Sequence, residues 1–295
     1  MNQGTLYAVA AYALWGLFPV YFKLLRHVPA PQILCHRILW SFVFLMAVVL
    51  VRGEWSSFRA ALKPAVMPVY MAAAVVVSAN WLTYVWAVNA GFVVQTSLGY
   101  FINPLLSVLA AVIILGERLR PWQWVPVGLA ALGILYLTYS HGSPPWIALF
   151  LALTWAVYGL LKKIAPLGTL HGLTLETGLL TLPALIYLTV AGLGGRGAFL
   201  QGNPASDMLL AGTGLVTATP LFLFALAVRR IRLTIVGILQ YVSPTLQFLL
   251  GVLVFREPFT TAQFIGFSIV WLALIIFGVE GYLTYRAETR AARAG

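Results

Sequence analysis

The sequence predicts an all-α integral membrane protein of ten transmembrane helices, built as two inverted five-helix repeats. Three observations predict it. Apolar residues make up 61% of the 295-residue chain and charged residues only 8%. Ten stretches are about as long and apolar as a membrane-spanning helix must be. Rare residue types recur through the chain at one constant offset, as from Trp15 to Trp155.

The composition excludes a soluble globular protein, which carries about 25% charged residues. A net charge of +11 in such a protein would suggest a nucleic-acid partner. Here the Lys and Arg residues are scattered through short loops with no basic stripe, so no nucleic acid is expected and the lipid bilayer is the principal surroundings. Cys35 is the single cysteine, which excludes an intrachain disulfide and a cysteine-based metal cluster. The N-terminal apolar run lacks a basic leader and a small-residue cleavage site, so it is expected to be the first spanning helix.

The predicted spans cover residues 5–25, 33–51, 65–86, 92–115, 122–140, 145–162, 173–192, 208–228, 234–254 and 263–283. Helix breakers such as Pro29, Pro31, Gly91, Pro121, Gly142, Pro144 and Gly168 stand in the links. Basic residues set the orientation. With the N-terminus in the cytoplasm, the outer side holds only Lys23, Arg26, Arg37, Arg196 and Arg256 of the 18 Lys and Arg, and the inner side holds the rest. The opposite orientation breaks the positive-inside rule. Both termini are therefore expected in the cytoplasm. Trp55, Trp122, Trp124 and Trp146 fall at predicted span ends, where an interfacial aromatic belt belongs.

A shift of 140 residues places Trp15 on Trp155, Lys23 on Lys163, Pro104 on Pro244, Glu117 on Glu257 and Gln123 on Gln263. The repeats are residues 1–141 and 142–295. Each holds five predicted spans, an odd number, so the second must enter the membrane upside down. Inverted repeats are a hallmark of secondary transporters, whose substrate sites lie near the midplane between the repeats.

Candidate site residues follow from polarity at membrane depth. Thr96, Tyr100, Asn103 and Ser107 share one face of the fourth span, and Gln240, Ser243 and Gln247 stand at related positions of the ninth. An amide or hydroxyl without a partner in hydrocarbon costs on the order of a few kcal/mol. These stripes therefore face protein or water, either as helix–helix hydrogen bonds or as the wall of a cavity with Tyr100 and Tyr241. Trp15 and Trp155 lie near mid-span and, with Tyr12, Tyr84 and Tyr158, can line an aromatic chamber or simply pack. The expected substrate-binding set is Trp15, Tyr84, Tyr100, Asn103, Trp155, Tyr158, Gln240, Ser243 and Gln247. Pro104 and Pro244, near mid-span, are expected to kink their helices. Ionisable residues within spans are few: His36 and Arg37 near the outer end of the second, and Glu176 near the inner end of the seventh. Arg37 has room to snorkel, while Glu176 has Lys162 or Lys163 for a partner and water nearby. His36 and Glu176 are the candidates for ion coupling. No metalloprotease, P-loop or catalytic-triad motif is present, so neither an enzyme nor a cofactor or metal site is expected.

The stretches AAYALWGLFPVYFKLL (10–25), QILCHRILWS (32–41), NWLTYVWAVN (80–89), SLGYFINPL (97–105), LGER (115–118) and GILQYVSPTLQFLL (237–250) resemble the RarD-type branch of the EamA family, in the drug/metabolite transporter superfamily. The resemblance implies ten helices, inverted repeats, a place in the bacterial inner membrane and efflux of small organic solutes. Aromatic surfaces, amides and hydroxyls with no deep fixed charge suit a solute with an apolar body and polar ends. The expectation is an exporter of small metabolites, with aromatic and neutral amino acids favoured. A drug-efflux protein with a loose aromatic pocket and a non-transporting membrane sensor are the alternatives.

Overall fold

The computed structural model describes residues 3–115, 122, 124–141, 144–228, 230–231 and 239–294. Within these, it describes the side chains except at 104–105, 107–115, 141, 163, 225, 228 and 284–294. Glu117, Arg118, Arg120, Pro121, Gln123, Gly142, Arg229 and Arg232 lie outside the described residues.

Every regular element among them is helical. The first predicted span is two helices, α1 (Gln3–Gly16) and α2 (Phe18–Leu24). Pro19 stands in the first turn of α2, where its missing N–H costs nothing. Next come α3 (Ala30–Val51), the short α4 (Trp55–Ala61) and α5 (Met67–Ala90). Gly91 caps α5 with φ +88°, a left-handed conformation that suits glycine. Then follow α6 (Val93–Leu115), α7 (Trp124–His141), α8 (Trp146–Ile164), α9 (Thr169–Leu193) and α10 (Pro204–Val228). The chain closes with α11 (Val242–Leu249), which runs into a π-helical turn over Leu250–Val254, and α12 (Thr261–Ala294).

Six stretches are long and apolar enough to cross a membrane: Gln3–Leu24, Ala30–Val51, Pro64–Ala90, Thr169–Leu193, Pro204–Phe224 and Thr261–Leu283. Trp124–Ser140, Trp146–Lys162 and Val242–Val254 are shorter apolar helices. Trp55, Trp122, Trp124 and Trp146 are all exposed, and all but Trp122 open a helix.

Helices from the two ends of the sequence interleave. α3 packs on α9 and α10, α6 on α8 and α11, α1 on α10 and α11, α5 on α8 and α9, and α7 on α12. Small residues permit the close approaches: a Cβ added to Gly99 of α6 would lie 2.8 Å from the Ala148 carbonyl oxygen of α8. We call the end of the bundle where α1 starts the near end and the opposite one the far end. The far end is closed by an apolar cluster that includes Phe22, Leu25, Ile33, Val85, Val88, Ile147 and Leu151. Two polar ties reinforce it. Both Glu257 carboxylate oxygens accept hydrogen bonds, 2.9 Å each, from the Val93 and Val94 N–H groups that open α6. This anion satisfies the free donors of a helix N-terminus and its positive dipole end. The Gln32 amide donates to the Arg196 carbonyl (2.7 Å) and accepts from the Ala198 N–H (2.8 Å).

One expectation about backbone shape is corrected. Pro244 is not at mid-helix: the chain turns at Gln240–Tyr241, α11 begins at Val242, and Pro244 sits in its first turn. The break precedes the proline because the first turn is where a helix tolerates one. The Gln240 carbonyl accepts the Ser243 N–H at 3.3 Å. Pro104 lies within the continuous helix α6.

Candidate functional site: a central aromatic cavity

α1, α2, α3, α5, α6, α8, α9, α10 and α11 all line a cavity of about 420 Å³. Its volume is that of a small-molecule site. All nine residues expected from the sequence line it.

The walls are aromatic. On one side Tyr84, Tyr100, Trp155 and Tyr158 form a chain of ring contacts with centroids 5.8, 6.4 and 5.7 Å apart. On the other, Trp15 meets Tyr12 at 5.5 Å and Phe224 at 5.8 Å. Edge-on and tilted pairs of this kind hold each other in place while leaving faces for a ligand. Asn103 of α6 and Ser243 and Gln247 of α11 add amides and a hydroxyl to the lining. Gln247 Nε2 donates to the Trp15 carbonyl (3.2 Å) and to Ser243 Oγ (3.3 Å), which leaves its Oε1 buried without a partner. The Tyr84 hydroxyl is likewise buried and unpartnered. Asn80, one residue from the wall, fixes α5 to α8 by donating to the Leu151 carbonyl (2.9 Å) and Thr154 Oγ1 (2.8 Å).

Not every expected polar residue arrives. Thr96 donates to the Val93 carbonyl of its own helix at 2.7 Å and is absent from the lining. Tyr241 packs instead against the apolar cluster containing Phe101, Phe267 and Val270. The Ser107 side chain lies outside the described residues.

Two cations line the cavity, and sequence reasoning gave neither a place there. Arg37 does not snorkel; it is 3% exposed and faces inward. The reason is the stripe it belongs to. Ile33, Arg37, Ser41, Leu45 and Val49 recur every four residues and form the buried face of α3. Arg37 Nε donates to Thr217 Oγ1 at 2.8 Å. Its guanidinium carbon lies 4.0 Å from the centroid of Trp81 and 5.5 Å from those of Phe18 and Phe22. The expectation of no deep fixed charge is thereby overturned. The missed signal was the face: Arg37 follows Ile33 by four positions in an otherwise apolar span.

Lys162 lies toward the near end, and its Nζ donates to Glu176 Oε1 at 2.7 Å. Tyr158 Oη donates to Glu176 Oε2 at 3.0 Å. Glu176 therefore has the expected lysine partner but not the expected water, being only 2% exposed. It stands behind the wall rather than in it. His36 also lies off the cavity, packed on Phe199 with ring centroids 4.9 Å apart and both ring nitrogens unpartnered.

The helical membrane bundle thus holds an aromatic, polar-tipped chamber of small-molecule size. Comparison with known proteins gives the family. The EamA-like transporter family model matches twice, over residues 2–139 and 144–279, and the chain belongs to that family. It is 44% identical to Protein RarD of Streptomyces exfoliatus, over 97% of this chain and 91% of that protein. It is 42% identical to the uncharacterized transporter YojE of Bacillus subtilis (94% and 93%) and 39% identical to Protein RarD of Escherichia coli (98% of each). A solved crystal structure shares the fold, with a TM-score of 0.59 at 20% identity over 93% of this chain and 97% of that one. The protein is a membrane-embedded, RarD-type member of a transporter family, acting on a small-molecule substrate.

Proposed function

We propose that this protein exports small organic metabolites by alternating access, with aromatic and neutral amino acids the favoured substrates. Ten crossings form two inverted repeats, 1–141 and 142–295, with both termini in the cytoplasm. One observation carries the reading: a single cavity of about 420 Å³ draws its walls from both halves, Tyr84, Tyr100 and Asn103 from the first and Trp155, Gln240 and Gln247 from the second.

The packing supports the repeat. Exchanging the halves turns the α6–α8 contact into α11–α1, α5–α8 into α10–α1, and α3–α10 into α9–α5, all of which occur. The pairs α3–α9, α6–α11 and α7–α12 map onto themselves. Rocking one half against the other then exposes the chamber to alternate sides. Pro104 and the break before Pro244 are the hinge positions. Positive-inside orientation makes the closed far end the outer one.

Neither His36 nor Glu176 lines the chamber, and Lys162 occupies the Glu176 carboxylate. The carrier is therefore an exchanger or facilitator without obligatory proton coupling. Counterflow of labelled amino acids in proteoliposomes, at equal pH and without a membrane potential, tests this. Tyr100→Ala and Gln240→Ala should insert normally and exchange at under about a tenth of the wild-type rate. Wild-type exchange in both variants would reduce the polar stripes to helix glue, and accumulation that requires a pH gradient would overturn the uncoupled mechanism. Lipophilic drugs in the same panel test the second reading, a drug-efflux protein, which the largely aromatic walls favour.

A further inference from the structure

Arg37 has a resident charge and an incomplete set of partners. Its Nε is satisfied by Thr217, but its Nη1 is buried with no acceptor. Among the described residues no carboxylate pairs with it; Glu176, behind the chamber wall, is held by Lys162 and Tyr158. A buried guanidinium normally has a carboxylate or a set of carbonyl acceptors, because its desolvation costs several kcal/mol. Here the rings of Trp81, Phe18 and Phe22 supply part of the compensation through their negative faces. Rings stabilise the cation without occupying its N–H groups. Arg37 and Tyr84, which carry the unpartnered Nη1 and the unpartnered hydroxyl, both line the cavity, and the Tyr84 and Tyr100 phenols lie within electrostatic reach of the guanidinium.

A purely structural role fits this poorly. An apolar residue would fill the α3 stripe at lower cost, and an ion-pair role would need an acid. The arrangement matches the empty half of a charge-assisted, directional contact of the kind guanidinium makes with carboxylates. Lys162 offers no such vacancy, since its charge is already cancelled by Glu176.

We infer that Arg37 is the carboxylate-recognising residue of the chamber, so that the carried solutes are organic carboxylates. Arg37 Nη1 and the Tyr84 hydroxyl donate to the solute carboxylate, and the apolar body lies against Trp155, Trp15 and Tyr100. The inference rests on the chamber being the solute site, and it names the group that every substrate must share.

Binding separates it from the export mechanism. Trp15, Trp81 and Trp155 line the chamber, so their fluorescence in detergent-solubilised protein reports occupancy. The probes are 3-phenylpropionate, phenylalanine and 3-phenylpropionamide, which share a phenyl body; the first two carry a carboxylate, phenylalanine also an ammonium, and the amide has neither charge. Wild type should bind both carboxylates at least tenfold more tightly than the amide. Arg37→Gln should erase that ratio, and Arg37→Lys should keep part of it. Equal binding of amide and acids by wild type, no binding of the acids, or an unchanged ratio in folded Arg37→Gln would overturn the inference. The wild-type ratio decides even if the glutamine variant fails to fold. Selective binding of the acids without counterflow would sink the export reading alone and leave the recognition role intact.

Discussion

Arg37 and Lys162 are two cations in one cavity, and the protein treats them in opposite ways. Lys162 is 24% exposed, toward the near end, and is matched by a dedicated carboxylate with a tyrosine to hold it. Arg37 is almost fully buried and is given rings and one hydroxyl in place of an acid. A matched pair belongs to the architecture: it links α8 to α9 and cancels its own charge. An unmatched charge is tolerated only where something else completes it. The same net charge on the lining thus serves fixation in one place and vacancy in the other.

The largest effect should come from splitting the pair. Removing one member of a buried ion pair leaves the other charge uncompensated, at about 3–5 kcal/mol when both are fully buried. Lys162 is partly hydrated, which lowers its share, but Glu176 is not. Lys162→Met should therefore cost about 3 kcal/mol and Glu176→Gln about 2 kcal/mol by this reasoning. Thermal unfolding in detergent measures both. The double variant Lys162→Met/Glu176→Leu, with no charge left to bury, should recover most of the loss. Single variants that melt like wild type would make the pair a surface-like contact and erase the contrast with Arg37.

Arg37 should respond with the opposite sign. Arg37→Met removes a charge without orphaning a carboxylate, and replacing buried ions by apolar groups is often neutral or stabilising. The empty protein should melt at the same temperature or higher, with a gain of up to about 2 kcal/mol. Trp81→Phe sharpens this. It weakens the ring that holds the guanidinium, worth about 1 kcal/mol in wild type, and should cost markedly less in the Arg37→Met background. Destabilisation of the empty protein by Arg37→Met on the scale of Lys162→Met would mean that Arg37 is structural after all.

Much of this molecule was legible because rare residues in an apolar chain are informative. Trp15, Trp155, Gln240 and Gln247 stood out against aliphatic neighbours, and an amide at membrane depth has few places to go but inward. Helices fall in the expected stretches for the same reason, since backbone polar groups in lipid must be satisfied within the segment. What failed was reading depth from position in a span. Arg37 lies seven residues past the start of α3, within snorkelling reach of an interface, yet its side chain points where the Ile33–Val49 stripe points. Glu176 looked accessible for the same reason. Helical phase, not distance to the span end, decided both. Pro244 was misplaced because a proline in an apolar run reads alike whether it kinks a helix or follows a break.

The smallest expected effect concerns Tyr84, and it separates the vacancy from the packing around it. Its ring is wedged between Phe22 and Tyr100, with centroids 6.1 and 5.8 Å away, so the ring contributes to the closed far end and to the chamber wall alike. Its hydroxyl bonds to no protein group, being buried without a partner. Tyr84→Phe keeps the ring and deletes only the hydroxyl. An unsatisfied buried hydroxyl costs about 1–3 kcal/mol, partly recovered here by its proximity to Arg37. The empty protein should therefore lose nothing and gain up to about 1 kcal/mol in thermal unfolding. Carboxylate binding should weaken by about three- to tenfold, the value of one neutral donor, while 3-phenylpropionamide binding changes little. A loss of stability with unchanged carboxylate affinity would show that the hydroxyl holds the fold, not the ligand. The vacancy at Arg37 would then have no second donor, and the guanidinium alone would have to orient the carboxylate.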